Sequence, residues 1–174
     1  SFGNDGNISQ DKLENCINSD LANNYGNLCQ RVTAFAEKNC SSKVPENKSF
    51  NNDDLLMLNK FTENLETIRH EIDKQNINFY ISFIVSALFE TNKYFNDQEP
   101  WKKKDDKDRL NTIVYTSLEM IRKISFMLYP IIPHSIEKAL KIFNLNSNDI
   151  NFGSIATHDH LKSGNDISKI DILF

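Results

Sequence analysis

The stretch from Leu110 to Pro133, LNTIVYTSLEMIRKISFMLYPIIP, decides the fold class. Its Leu110, Ile113, Val114, Leu118, Ile121, Ile124 and Leu128 recur at steps of three or four, the spacing of one helical face. Pro130 stops that helix, because a proline ring has no N–H to donate and clashes with the preceding turn. Pro133 suits the first position of a further short helix that carries Ile136, Ala139, Leu140 and Phe143. Upstream, Tyr80, Phe83, Ile84, Ala87, Leu88 and Phe95 form another stripe, which runs into the polar segment Asn96 to Trp101. Before it, Leu55, Leu58, Phe61, Leu65, Ile68 and Ile72 predict a helix ending near Gln75, with Asn52 as cap and Asp53 and Asp54 as first-turn acids. The first stripe is Leu13, Ile17, Leu21, Tyr25, Leu28, Val32 and Phe35, a helix from about Ser9 to about Glu37. Cys40 to Pro45 and the Asn-rich residues after it read as a surface loop. Five amphipathic helices bury their stripes only against one another, so the expected fold is an all-α antiparallel bundle over residues 9–145. From Asn146 to Phe174 the pattern becomes irregular, with Gly153 and Gly164, and reads as an extended tail.

Composition supports this and excludes other classes. A chain of 174 residues is long enough to bury a core, and 39% hydrophobic against 25% charged residues excludes a wholly disordered or collagenous chain. Five Gly and four Pro are too few for a many-stranded sandwich or barrel. No apolar stretch reaches the ~20 residues of a membrane-spanning helix. The first residues, Ser1 to Asp5, carry no basic run leading into an apolar one, so no secretory signal is expected there. Three cysteines, Cys16, Cys29 and Cys40, without a C-x-x-C pair, give neither a disulfide framework nor a zinc site. A reducing, cytoplasmic setting is the expectation. The net charge of -4 argues against a nucleic-acid grip spread over a basic surface; any such grip must be local.

Catalytic machinery is not legible. The chain has no Gly-rich phosphate loop, no nucleophile elbow and no His-Glu helix pair for zinc. His158 and His160 make a two-ligand cluster without a third partner and read as solvated surface residues, while the isolated His70 and His134 read as surface or cap residues. Asp53-Asp54 and Asp105-Asp106 precede helices, where the dipole accounts for them. Two features ask for more. Asn23, Asn27 and Arg31 are spaced i, i+4, i+8, which puts amide and guanidinium groups in one row on the first helix. Such groups can read the edge of an unstacked base, since Arg offers forked donors and Asn both donates and accepts; the plainer reading is that Asn is simply abundant in this chain. Trp101 follows Pro100 in a polar loop and leads into Lys102, Lys103 and Lys104, a stacking surface beside phosphate-attracting charge. The plainer reading there is an apolar plug at the bundle end, with Asp105, Asp106 and Asp108 offsetting the lysines.

The segment Asn18-Ser19-Asp20-Leu21-Ala22-Asn23-Asn24-Tyr25-Gly26-Asn27-Leu28-Cys29-Gln30-Arg31 resembles the N-x-x-L-A-N-x-x-G-N-L-x-x-R helix of bacterial methionyl-tRNA synthetases. Phe2 to Gly6 resembles the connector before that helix, Asn92-Lys93-Tyr94 with Pro100-Trp101 resembles the family's N-x-Y and P-W, and Leu128 to Pro133 resembles its L-x-P-x-x-P. Ile172-Leu173-Phe174 is similar to the start of an L-F-P segment. The resemblance covers nearly the whole chain in the right order.

It implies the helical anticodon-binding domain of a class I aminoacyl-tRNA synthetase, with a methionine tRNA bearing a CAU anticodon as partner. The implied roles are stacking of the first anticodon base on Trp101, edge contacts from Asn27 and Arg31 with Asn23 beside them, a loop shaped by Pro100, and phosphate contacts from Lys102, Lys103 and Lys104. Residues 1–8 would be the connector from a catalytic part, and residues 146–174 a tail packing back toward it. The H-I-G-H and K-M-S-K-S signatures are absent, so the chain is expected to bind RNA without activating an amino acid, and to need no cofactor or metal itself. ATP and Mg belong to the parent ligase. Two alternatives stay open: the anticodon domain of another class I synthetase, and a helical protein-interaction module whose Trp101 loop grips a peptide.

Overall fold

A computed structural model describes residues 21, 23–157 and 161–168, and these are helical with no strand among them. In order they form α1 (Asn23–Asn39), α2 (Asn52–Asp73), α3 (Ile77–Gln98), a 3-10 turn (Pro100–Lys102), α4 (Lys107–Leu128), α5 (Pro133–Leu140), two further 3-10 turns (Lys141–Phe143 and Ser147–Asp149) and a four-residue α6 (Phe152–Ile155). The expected start of the first helix at Ser9 lies outside the described residues, as do His158 and His160.

The long helices begin where side chains satisfy the open backbone N–H groups. The cap of α2 is Asn51, one residue earlier than the sequence suggests. Asn51 accepts from the Asp54 amide at 3.0 Å while the Asp54 carboxylate accepts from the Asn51 amide at 2.9 Å, a reciprocal box that a cap at Asn52 would forgo. Asn76 caps α3 and Asp106 caps α4, the latter accepting from the Arg109 amide at 3.0 Å. Only Lys74 to Asn76 separate α2 from α3, so these two run antiparallel.

α4 is the axis of the bundle. It touches α1, α2, α3 and α5, and from Thr112 to Leu128 every residue is buried. The single buried stripe expected there is therefore corrected: α4 is surrounded, and its polar residues are internal. Most are satisfied in place, as buried polar groups usually are; the Thr116 hydroxyl is buried without a partner. Ser125 shares a 2.6 Å hydrogen bond with Tyr25 of α1, Lys123 donates to the Leu58 carbonyl at 2.9 Å, and Arg122 pairs with Glu119 at 2.5 Å. Burial pulls the Lys123 ammonium down to about 8. The stripe of α2 also shifts, because Met57 is buried while Leu55 and Ile72 sit at its exposed edge.

Beyond α5 the chain folds back on the same bundle. Ile155, Leu161 and Ile167 are buried in the shared core, and Arg122 of α4 donates to the Ser154 carbonyl at 2.8 Å. Residues 164–167 lie along the loop after α1: Val44 donates to Asn165 at 2.8 Å, Gly164 to Val44 at 2.9 Å and Ile167 to Ser42 at 2.7 Å, all backbone to backbone. Gly164 has φ of 86°, a left-handed conformation that suits glycine.

Candidate nucleic-acid interface

The end of α3 sets the site. Glu99 takes the left-handed conformation, φ 45°, which ends the helix, and the fixed φ of Pro100 starts the 3-10 turn at once. Lys102 donates to the Glu99 carbonyl at 2.9 Å and Lys103 to the Pro100 carbonyl at 3.1 Å, so the loop is hydrogen-bonded rather than loose. Pro100 is buried and Trp101 is 40% exposed. The indole meets Phe95 edge-on at 6.2 Å, and Phe95 meets Phe35 of α1 edge-on at 5.7 Å. Edge-to-face pairs are a favoured aromatic geometry, so the indole is oriented from below while part of it stays open.

Arg31 of α1 completes the cluster. Its guanidinium lies 5.2 Å from the centre of the Phe95 ring and donates to the Asn96 side chain at 2.7 Å. The aromatic face and the amide fix the plane of the guanidinium, which leaves other N–H donors to be offered outward. From Arg31 a groove of about 590 Å3 runs between α1 and α3. Asn24, Asn27, Gln30 and Arg31 form its α1 wall, while Val85, Leu88, Phe89 and Asn92 form its α3 wall.

A second network holds the loop's two ends. Asp54, fully buried at the start of α2, accepts from Tyr94 near the end of α3 and from both terminal nitrogens of Arg109 in α4, at 2.5 and 3.0 Å. Arg109 also donates to Gln98 at 2.5 Å. Burial first, and the bond to Asp54 next, push the Tyr94 phenol far above its ordinary range, so it stays a donor. Asp54 is thus no ordinary first-turn acid: it ties the residues on either side of the Trp101 loop to α2.

The expected site residues are only partly brought together. Asn27 and Arg31 line the groove; Trp101 lies outside its wall and is linked to it through Phe95, over whose ring Arg31 sits. Asn23 is exposed at the first position of α1 but is not part of the groove wall, where Asn24 stands instead. Lys102, Lys103 and Lys104 are exposed beside Trp101, with Lys102 paired to Glu99 at 2.8 Å. Sequence reading missed Phe89, Phe95 and Asn96, and the role of the Asp54-Arg109 pair. The signal for Phe95 was a stripe residue only six positions before Trp101; nothing in the spacing pointed to Asp54 and Arg109 as partners. Among the described residues no three or more His, Cys, Asp or Glu side chains form a metal-sized group, and no helix is long and apolar enough to cross a membrane.

The same arrangement of helices occurs in solved structures. Methionyl-tRNA synthetase of Mycobacterium tuberculosis superposes with a TM-score of 0.84 at 29% identity, over 95% of this chain and 34% of that one. This places the bundle in the class of helical anticodon-binding domains carried by class I aminoacyl-tRNA synthetases. Among curated relatives, a methionine-tRNA ligase of Brucella suis is 37% identical over 155 residues, 88% of this chain and 30% of the relative. One of Rickettsia felis is 34% identical, over 100% of this chain and 35% of the relative. The chain thus spans about a third of the length of the relatives it matches. The family model described as the anticodon binding domain of methionyl tRNA ligase matches residues 44–174, and the chain belongs to that family.

Proposed function

We propose that this chain reads the CAU anticodon of methionine tRNA and serves as the anticodon-binding part of a cytoplasmic methionine-tRNA ligase. Its partners are then that tRNA and the catalytic part of the ligase, which uses ATP and Mg to make methionyl-tRNA; this chain contributes recognition and no chemical step. The observation that carries the reading is the Arg31-Phe95-Trp101 cluster at the head of a groove walled by Asn27. The splayed cytosine stacks on the half-open indole, Arg31 and Asn27 meet its edge, and Lys102, Lys103 and Lys104 attract the neighbouring phosphates. The acidic balance of the chain does not oppose this, because base readout needs little area and the positive charge is needed only at the loop.

Trp101 is the one tryptophan of the chain and reports directly. Titration with a CAU stem-loop under Trp-selective excitation should quench its emission, and a loop changed at its first base should do so far less. Arg31→Ala should remove the preference between the two loops. Equal quenching by both loops, or none at low salt, overturns the reading.

A further inference from the structure

The cluster around Trp101 uses only one end of the groove. At its α3 wall stands Phe89, 69% exposed in the middle of the helix, with its ring open to the groove and not packed in the core. It lies six residues before Phe95, about 9 Å along the helix axis, and faces the groove, whereas Phe95 is buried against Trp101. Val85 and Leu88 give the groove an apolar floor on the same side. The facing wall is not apolar: it presents the amides of Asn24, Asn27 and Gln30, which both donate and accept.

We infer that Phe89 is a second stacking platform, holding an unpaired base of the same RNA loop next to the one on Trp101. This rests on the anticodon reading and adds a binding residue to it. A flat face on one wall and amide edges on the other match the two surfaces of a nucleobase, its π-face and its hydrogen-bonding edge. An apolar helix or peptide from another protein would leave the amides of Asn27 and Gln30 facing carbon, where a buried polar group without a partner is unfavourable. The groove volume of about 590 Å3 falls within the roughly 300–1,000 Å3 of small-molecule pockets, enough for a nucleotide.

The test is fluorescence anisotropy of labelled CAU stem-loops, one intact and others with a single abasic loop position, against the unmodified chain, Phe89→Ala, Phe89→Tyr and Trp101→Ala. The ring is exposed, so melting of the Phe89 variants should match the unmodified chain. Phe89→Ala should weaken binding of the intact loop about five- to a hundredfold, and Phe89→Tyr should restore it. The difference between Phe89→Ala and the unmodified chain should vanish on one abasic loop, other than the one abasic at the base assigned to Trp101. If Trp101→Ala weakens binding and Phe89→Ala does not, or if Phe89→Ala weakens every abasic loop alike, the platform is refuted and the anticodon reading stands. If neither variant changes binding, or the unmodified chain binds no loop at low salt, both fail together.

Discussion

Arg109 grips both carboxylate oxygens of the fully buried Asp54 across 55 residues of chain, and the two residues belong to helices on either side of the Trp101 loop. Burial works against the guanidinium charge, but the bond to Asp54 and its neighbours more than restores it, so the Arg109 pKa ends up raised. Such a pair contributes little net stability compared with an apolar substitute, yet breaking it is costly, because one charge is left buried alone. Arg109→Met should therefore lower the unfolding free energy by about 3–5 kcal/mol, read by urea denaturation. Arg109→Lys, which keeps the charge but loses the fork, should fall between the two. A loss under 1 kcal/mol for Arg109→Met would mean that Asp54 is satisfied without it.

The lysines after Trp101 make a separable prediction. If they attract phosphates, replacing Lys102, Lys103 and Lys104 together by Ala should weaken binding to the CAU loop and the altered loop by the same factor. The slope of log affinity against log salt should also shrink, by about 0.7 for each lost single-strand contact. Lys102 already pairs with Glu99, so the change should be nearer two contacts than three. A change in the preference between loops would show that these residues read bases.

Cys29 gives a pH test inside the core. Burial pushes its thiol up to about 12, with Tyr25 beside it lowering it only in part. The folded state therefore keeps the proton while the unfolded chain releases it near pH 9, so this contribution is complete below pH 9 and is lost as pH climbs toward 12. Compared with Cys29→Ala, the unmodified chain should lose about 1.4 kcal/mol between pH 7 and pH 10. Paired urea melts at the two values measure it; a constant gap would place the thiol in a wetter setting.

Ile155 tests whether the tail is part of the bundle. It is fully buried, whereas Phe152, one turn away, is 40% exposed. Ile155→Ala should cost about 2–4 kcal/mol and Phe152→Ala less than about 1 kcal/mol, by thermal or urea unfolding. Equal small losses would mean that the tail rests on the helices without stabilising them.

These sites show where sequence patterning stops. The stripes of α2, α3 and α4 are legible because periodicity reports which face of a helix avoids water. It does not report how many neighbours a helix has, so the all-round burial of α4, with Glu119, Arg122 and Lys123 inside, was invisible. Asn27 and Arg31 stood out as part of a polar row at i, i+4, i+8, and Trp101 as an indole in a polar loop beside three lysines. Asp54 did not, since a first-turn acid has a sufficient local explanation; only the partner 55 residues away reveals its other task. Phe89 was missed because it falls outside the periodic stripe of its helix, and spacing does not report what an off-stripe side chain faces. The tail was legible as irregular, but its docking is set by backbone bonds between residues more than a hundred apart, for which spacing carries no signal.

That docking has a consequence for how the molecule is made. A chain emerging from the ribosome amino end first presents α1 to α5 well before Ile155, Leu161 and Ile167 exist, although these three belong to the same core. Contacts of such large sequence separation form late and set the pace of folding. The bundle therefore keeps its last apolar surface uncovered until residue 167 is free, and over that interval the nascent chain is open to aggregation in a way the finished fold is not.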